Sequence, residues 1–507
     1  MRLALALCGL TLGASSVMPA TPAVAEPAER PNILFLGIDD LRPDLGAYGH
    51  DLIHSPNLDA IANDGLLFQR AYCQAALCAP SRSSLMSGLR PGIVGINATD
   101  SRDKKVINRA VDAALTLPEH LRANGYTTLS VGKIFHTYDT SGSGAWDKQL
   151  RPGGGHYQLE SNRDKERIHQ QKVREEGRKA RWKYPRGDAA EAADVPDDRY
   201  QTHRIATRGI KLMREHVQQN PDEPFFLAVG WHKPHLPFIA PQKYWDLYDR
   251  DAIEVPSRAE PEGVPEYSLV PAWYEMRQYG DVPRDRKQDL NDKKTKEFIH
   301  GYYACISFVD AQVGRIMEEL EAQGLADNTI VIVWSDHGFK LGDYGDWSKY
   351  TNMEIDTRVP LLVSGPGVVQ GKQTDALVEL IDLYPTVIEL AGVSTPEHVE
   401  ATSFVPLLSS PETPWKSGAL SYYDRRNPDA EGFSLRDERF RYTEWRDYET
   451  GDVLARELYD HAETTIADRN LATDPAYADH VDRLAAMLAA GWESLVPSTA
   501  ASSASSR

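Results

Sequence analysis

Two distant stretches of the chain share one layout, and that layout restricts the fold more than any other feature. Ile33-Leu34-Phe35-Leu36-Gly37-Ile38 is an unbroken apolar run that ends in Asp39-Asp40. Ile330-Val331-Ile332-Val333-Trp334 is a second, ending in Ser335-Asp336-His337-Gly338. A strand that is apolar on both sides belongs inside a sheet covered on both faces, hence a largely parallel sheet between helices. Further strand-like runs stand at 126–131, 224–230 and 361–364, with helical patterns at 117–125, 302–320 and 380–390. In the second of these helices Ile306, Val309, Val313, Ile316, Met317 and Leu320 form the apolar side, and Cys305 packs with them. Parallel sheets place ligand sites at the carboxyl ends of their strands. Adjacent carboxylates at such an end are costly unless a cation or hydrogen-bond donors meet them. A solvated turn capping a helix is the bland account of Asp39-Asp40. The sharper account makes both strand ends hard-oxygen ligand pairs for Ca²⁺ or Mg²⁺.

Between these runs lies Cys78-Ala79-Pro80-Ser81-Arg82, followed by Ser83-Ser84-Leu85-Met86-Ser87-Gly88-Leu89-Arg90-Pro91-Gly92. Pro80 suits the first turn of a helix, where its missing N–H costs nothing. Cys78 then stands at a helix N-terminus, where free N–H groups and the dipole favour an anion. Arg82, one turn on, offers forked donors to an oxyanion. A buried structural cysteine beside a helix start is the alternative. Upstream, Ser55-Pro56-Asn57-Leu58-Asp59 opens a helix with Leu58, Ile61, Ala62 and Leu66 on one side, read as packing only.

Other polar residues follow buried runs. Gly132-Lys133-Ile134-Phe135-His136 ends one strand, and Lys133 and His136 can face a common pocket. Trp231-His232-Lys233-Pro234-His235-Leu236-Pro237-Phe238 ends another, and its two prolines hold the loop extended. The segment from Lys340 to Lys349 follows Asp336-His337.

The Cys-Ala-Pro-Ser-Arg stretch with its distal Gly-Leu-Arg-Pro resembles the signature of the type I sulfatases. His-Lys-Pro-His-x-Pro-Phe and His337, where most of the family has Asn, look like the iduronate-2-sulfatase branch. The resemblance runs from Pro31 to about Glu493. It implies an α/β, alkaline phosphatase-like sandwich: a large mixed sheet between helices, plus a smaller C-terminal α+β domain. It implies that Cys78 is oxidised to formylglycine, whose hydrate attacks sulfur. It also implies one divalent cation, with Ca²⁺ favoured over Mg²⁺, on Asp39, Asp40, Asp336, His337 and the modified Cys78. Arg82, Lys133 and Lys349 then neutralise the transferring group, with Lys133, His235 and Lys349 binding substrate. His235, with Lys349, protonates the leaving oxygen, and His136 deprotonates the second hydroxyl of the hydrate. Lys233 is either part of this basic cluster or structural. The implied activity is sulfate ester hydrolysis on a sulfated saccharide, a uronic acid among the candidates. The implied partner is a formylglycine-generating or sulfatase-maturating enzyme. A phosphate or phosphonate ester hydrolase of the same superfamily, a non-catalytic binder of sulfated glycans, and a structural Cys78 thiol are the other readings.

Composition sets the address. The formal net charge of −18 argues against nucleic acid as a partner. It requires basic groups for an anionic substrate to be concentrated in the site. Residues 1–25 read as a signal peptide: Arg2, the apolar run 3–12, and Ala23-Val24-Ala25 as cleavage site. Export to the periplasm or medium follows. Cleavage there leaves Cys73, Cys78 and Cys305, an odd set that argues against a disulfide framework. No later apolar run approaches membrane-spanning length. The expected organisation is a catalytic domain over 26–412, with charged loops and a helix inserted at 138–200. A linker at 406–414 leads to an α+β subdomain over 413–497. Its strands are expected at 419–423, 432–436, 440–445 and 457–460, its helix at 476–493, and a disordered tail at 498–507.

Overall fold

The computed structural model describes residues 30–91, 114–136, 144–269, 275–285, 288–426 and 428–497. The segment expected to be a signal peptide, 1–25, and the expected tail at 498–507 lie outside the described residues. The strands are β1 (Asn32–Asp39), β2 (Gly65–Tyr72), β3 (Thr127–Gly132), β4 (Lys148–Leu150), β5 (Ala190–Ala193), β6 (Phe225–Pro234) and β7 (Phe238–Pro241). They continue with β8 (Thr329–Ser335), β9 (Arg358–Ser364), β10 (Lys372–Thr374), β11 (Val378–Glu379) and β12 to β15, given below. The large sheet runs β10-β2-β9-β8-β1-β6-β3-β4, with β11 also on β2. Strand β1 is parallel to β6 and β8, whereas β9 is antiparallel to β8 and β2, so the sheet is mixed.

Alternation along the central strands fills two cores. Leu34, Leu36 and Ile38 pack on one face with helices α1 (Pro56–Asn63), α5 (Gln201–Gln219) and α6 (Asp292–Ala322), while α4 (Glu160–Glu176) is largely exposed. Ile33 and Phe35 pack on the other with α2 (Cys78–Ser87), α3 (Leu117–Ala123) and α7 (Leu383–Leu390). Burial on both faces is what the continuous apolar runs require. This is the alkaline phosphatase-like sandwich.

A second, antiparallel sheet is formed by β12 (Ala419–Arg426), β13 (Asp429–Arg436), β14 (Phe440–Arg446) and β15 (Val453–Asp460). Helix α8 (Ala478–Ala490) lays Val481 and Leu484 against Leu435, Phe440, Tyr442 and Leu458. No helix among the described residues is long and apolar enough to cross a membrane.

Three sequence expectations need correction. Leu66 is not on helix α1, which ends at Asn63, but on strand β2. A Cβ on Gly65 would stand 2.1 Å from the Val363 carbonyl oxygen, so glycine there lets β2 close on β9. Part of 138–200 is not insertion: Lys148–Leu150 is an edge strand of the large sheet, and Ala190–Ala193 pairs with β7. The linker at 406–414 begins inside a short helix, Val405–Ser409, whose Leu407 and Leu408 are buried in the core.

Candidate active site

The site lies at the carboxyl ends of β1, β8, β3 and β6. Asp39 closes β1, and Asp40 follows with φ +61°, a left-handed conformation uncommon outside glycine, asparagine and aspartate. Asp336 and His337 follow β8 on the neighbouring strand. All four are buried, none more than 1% exposed. Gly132, at φ +83°, ends β3, and a Cβ there would lie 1.9 Å from the Gly230 carbonyl oxygen of β6. Glycine is therefore needed where the chain turns to deliver Lys133.

Cys78 is the first residue of α2, with Sγ 3.2 Å from His337 Nε2. Burial, then the Asp39 carboxylate, pushes its thiol pKa well up. An unmodified Cys78 is therefore a protonated, weakly nucleophilic thiol. Ser81 Oγ donates to the Asp336 carbonyl at 2.5 Å and ties the helix start to the end of β8.

Arg82 is fully buried. Its Nε donates to Asp336 Oδ2 at 2.8 Å and its Nη2 to Asp39 Oδ1 at 3.3 Å. Nη1 donates to the carbonyls of Lys133 and Ile134 at 2.6 and 3.0 Å. The seat expected for a substrate oxyanion on this guanidinium is thus taken by protein oxygens, and Arg82 joins three strand ends.

Lys133 Nζ lies 2.5 Å from Asp39 Oδ2, and Lys349 Nζ lies 3.1 Å from both oxygens of Asp40. Burial alone would raise the Asp39 pKa, but Lys133, His235 and Arg82 outweigh it and hold the group well below the usual range. Burial would lower Lys349, but Asp40 and Glu275 hold it well above its ordinary value. Burial, then Lys133, pushes His136 down to about 4, so its imidazole is neutral near pH 7. His235 donates from Nδ1 to the Leu236 carbonyl at 2.8 Å, and its Nε2 is 3.9 Å from Asp40 Oδ2.

The donor set fits a hard divalent cation. His337 Nδ1 donates to the Gly338 carbonyl at 2.9 Å, which leaves the Nε2 lone pair facing inward. That lone pair looks at Asp40 Oδ1 and Asp336 Oδ2, 3.5 and 3.6 Å away. Two carboxylate oxygens and this lone pair converge there, the Cys78 thiol at 3.2 Å being the hydrogen-bond partner on the lone pair, and a cation stabilises such a set of acceptors. Asp39, Cys78, Asp336 and His337 offer ligand atoms all within 4.8 Å of one another, as do Asp39, Asp40, Cys78 and His235.

Comparison with known proteins decides the family. The sulfatase family profile matches residues 31–393.

The chain belongs to the sulfatase family.

It is accordingly a sulfuric ester hydrolase. A profile for the C-terminal part of N-sulphoglucosamine sulphohydrolase matches residues 342–493 of this sulfatase. A sulfatase of Formosa agariphila is 31% identical over 473 residues, spanning 92% of this chain and 87% of its own. Iduronate 2-sulfatase of Mus musculus is also 31% identical, spanning 87% of this chain and 91% of its own. Among solved structures, a phosphonate monoester hydrolase from Silicibacter pomeroyi superposes with a TM-score of 0.70 at 24% identity, over 90% and 94% of the two chains. An enzyme solved with D-glucosamine-2-N,6-O-disulfate, its substrate, gives 0.69 at 22% identity, over 92% and 98%. These two share the fold.

In this sulfatase Asp39, Asp40, Cys78, Arg82, Lys133, His235, Asp336, His337 and Lys349 are joined by the contacts above, and the charge of Lys133 reaches His136. Lys233 does not join them: its Nζ donates to the carbonyls of His235, at 2.9 Å, and Pro237. The lysine staples the turn that presents His235. Glu275 is the residue that sequence reasoning misses. Its Oε2 accepts from Lys349 Nζ at 3.1 Å, and its Oε1 stands 3.0 Å from His235 Nε2. Among the described residues Cys73, Cys78 and Cys305 are free and buried.

Proposed function

We propose that this sulfatase removes sulfate from a sulfated carbohydrate, with a formylglycine made from Cys78 as nucleophile. The observation that carries the reading is the convergence of Cys78, Asp39, Asp40, Asp336 and His337 beneath the ammonium groups of Lys133 and Lys349. One divalent cation, Ca²⁺ on the family's habit, would be held by Asp39, Asp40, Asp336 and His337 beside residue 78. That cation would lower the pKa of the attacking hydroxyl and polarise a sulfate oxygen.

The chain's own residues supply the remainder. Arg82 fixes Asp39 and Asp336 and braces the 133–134 carbonyls, so its role is positioning. Lys133 and Lys349 balance the charge of the transferring sulfuryl group. His235 donates to the Leu236 carbonyl through Nδ1 and faces carboxylates with Nε2, an environment that stabilises the imidazolium. A proton on Nε2 is what a leaving sugar oxygen needs. His136, neutral near pH 7, accepts the proton of the second hydroxyl when sulfate departs and the aldehyde returns.

The sequence-based address completes the proposal: an exported protein, periplasmic or secreted, matured by a formylglycine-generating or sulfatase-maturating enzyme. Mass spectrometry of the peptide spanning Cys78 from active enzyme tests it. The aldehyde is expected, and an unmodified thiol throughout a fully active preparation overturns the mechanism. A sulfate-release screen on defined sulfated saccharides, beside aryl sulfate and aryl phosphate, tests the substrate class. Faster turnover of the phosphate ester than of every sulfate would overturn the assignment.

A further inference from the structure

Four cationic groups and four carboxylates meet in this site. Arg82, Lys133, Lys349 and His235 face Asp39, Asp40, Asp336 and Glu275. Three of the carboxylates belong to the set that would hold the cation. Glu275 does not: its partners are Lys349, His235 and the Tyr350 hydroxyl, the last at 3.4 Å. Its side chain is 22% exposed, against 1% for Lys349. Among the described residues it is the most exposed of the four carboxylates, and it lies against the two groups that would meet the leaving oxygen. Burial alone would raise its pKa, but His235 and Lys349 outweigh that and hold it well below the usual carboxylate range.

We infer that Glu275 is a specificity-determining residue that sets the charge of the leaving group, selecting sulfate esters whose alcohol bears hydroxyl or amino groups, not a carboxylate, beside the ester. The inference rests on the sulfate ester reading above and on the place of His235 and Lys349 at the leaving oxygen. Without Glu275, the outer edge of those two cations would be a ready seat for a second anion on the substrate. With it, that seat is filled from within the chain. A carboxylate placed there on the departing sugar must then stand against another carboxylate, at a separation taken as on the order of 5 Å for a Coulomb estimate. At an effective dielectric constant of about 20 to 40 that repulsion is worth a factor of ten or more. A hydroxyl or an ammonium in the same place finds an acceptor instead. A neutral or amino sugar therefore fits this rim better than a uronic acid.

The test uses the full-length, matured enzyme and two aryl sulfates of nearly equal shape, 3-carbamoylphenyl sulfate and 3-carboxyphenyl sulfate. The readout is the ratio of their kcat/KM values in the wild type and in Glu275→Gln. The wild type is expected to favour the amide by about ten-fold or more. Glu275→Gln should shrink that ratio about ten-fold, chiefly through a lower KM for the carboxylate ester. A ratio unchanged within two-fold, or a wild type that prefers the carboxylate, overturns the inference. Should the variant turn over neither ester, the ratio of their dissociation constants, measured by calorimetry on both proteins, decides in the same way. Sulfate release from the amide ester by the wild type is a separate reading. Its absence would count against the proposed function, while the binding ratio would still judge Glu275.

Discussion

Helix α2 starts in one buried charge cluster and, three residues past its end, Arg90 enters another. The second cluster is closed. Arg90 grips Glu379 with two bonds of 2.7 and 2.9 Å. Lys416 Nζ donates to Glu379 and to both oxygens of Asp382 at 2.6–2.7 Å. Backbone N–H groups of Glu379, Thr402 and Leu420 complete the set, so each of the four carboxylate oxygens accepts from two donors. The first cluster is open. Among the described residues Asp40 accepts side-chain hydrogen bonds from Lys349 alone, Asp40 itself sits at φ +61°, and the His337 lone pair points at carboxylate oxygens. The comparison separates two uses of buried charge. A cluster that joins structural elements satisfies every lone pair internally. A cluster that works on a ligand leaves acceptors converging on a shared point and bears local strain to do so.

The sharpest way to break the comparison is a single change in the open cluster. Asp40→Asn keeps the shape and places asparagine at a left-handed φ that it tolerates well. The fold should be retained, with the unfolding temperature within a few degrees of the wild type. Sulfate release should fall by about a thousand-fold or more, roughly 4 kcal/mol of barrier, and bound divalent cation should fall with it. Full activity in cation-free protein would remove the basis of the metal assignment. Lys416→Met does the opposite to the closed cluster. It leaves Glu379 and Asp382 buried with one cation between them, an error that costs about 3–5 kcal/mol. Chemical unfolding should show that loss, while turnover per folded molecule at low temperature stays near the wild-type value. A variant that is stable but inactive would mean that the closed cluster also serves the chemistry.

The two clusters also differed in how far the sequence disclosed them. The strand ends at Asp39-Asp40 and Asp336-His337 are local patterns, an apolar run followed by ligands, and need no knowledge of the tertiary fold. Cys78 at the first position of α2 follows from Pro80 and the helix start in the same way. Arg82 was misdirected because the sequence names a donor and not its acceptors, which come from β1, β8 and the turn after β3. Glu275 carries no local signal: it precedes Lys349 by 74 residues, and only the fold brings them together. Lys416 and Glu379 are likewise ordinary charged residues until the C-terminal sheet docks. Strand β2 was hidden because Leu66 fits the period of the helix before it, and β4 because three polar-edged residues, Lys148-Gln149-Leu150, form no pattern at all.

Asp310 on α6 supplies the limiting case, a buried carboxylate with N–H donors and, among the described residues, no ion pair. Its oxygens accept from the backbone of Asn57 and Leu58 at 2.8–3.3 Å and from Asn57 Nδ2 at 2.7 Å, at the start of α1. Burial pushes its carboxyl up to about 6, although those donors oppose the shift. An aspartate in the unfolded chain titrates near pH 3.9. The native state therefore binds the proton more tightly than the unfolded state. Its contribution to stability is greatest below about pH 4 and is lost as the pH rises through about 6. Asp310→Asn keeps the shape, loses one acceptor and removes the titration. Its stability relative to the wild type should improve by about 2 kcal/mol between pH 4 and pH 7, read from denaturant unfolding at each pH. The effect is smaller than that of Lys416→Met and is read as a gain with rising pH relative to the wild type. Parallel stability profiles for Asp310→Asn and the wild type would mean that hydrogen bonds from the start of α1 compensate this buried charge as fully as Arg90 and Lys416 compensate theirs. The distinction between clusters would then rest on geometry alone.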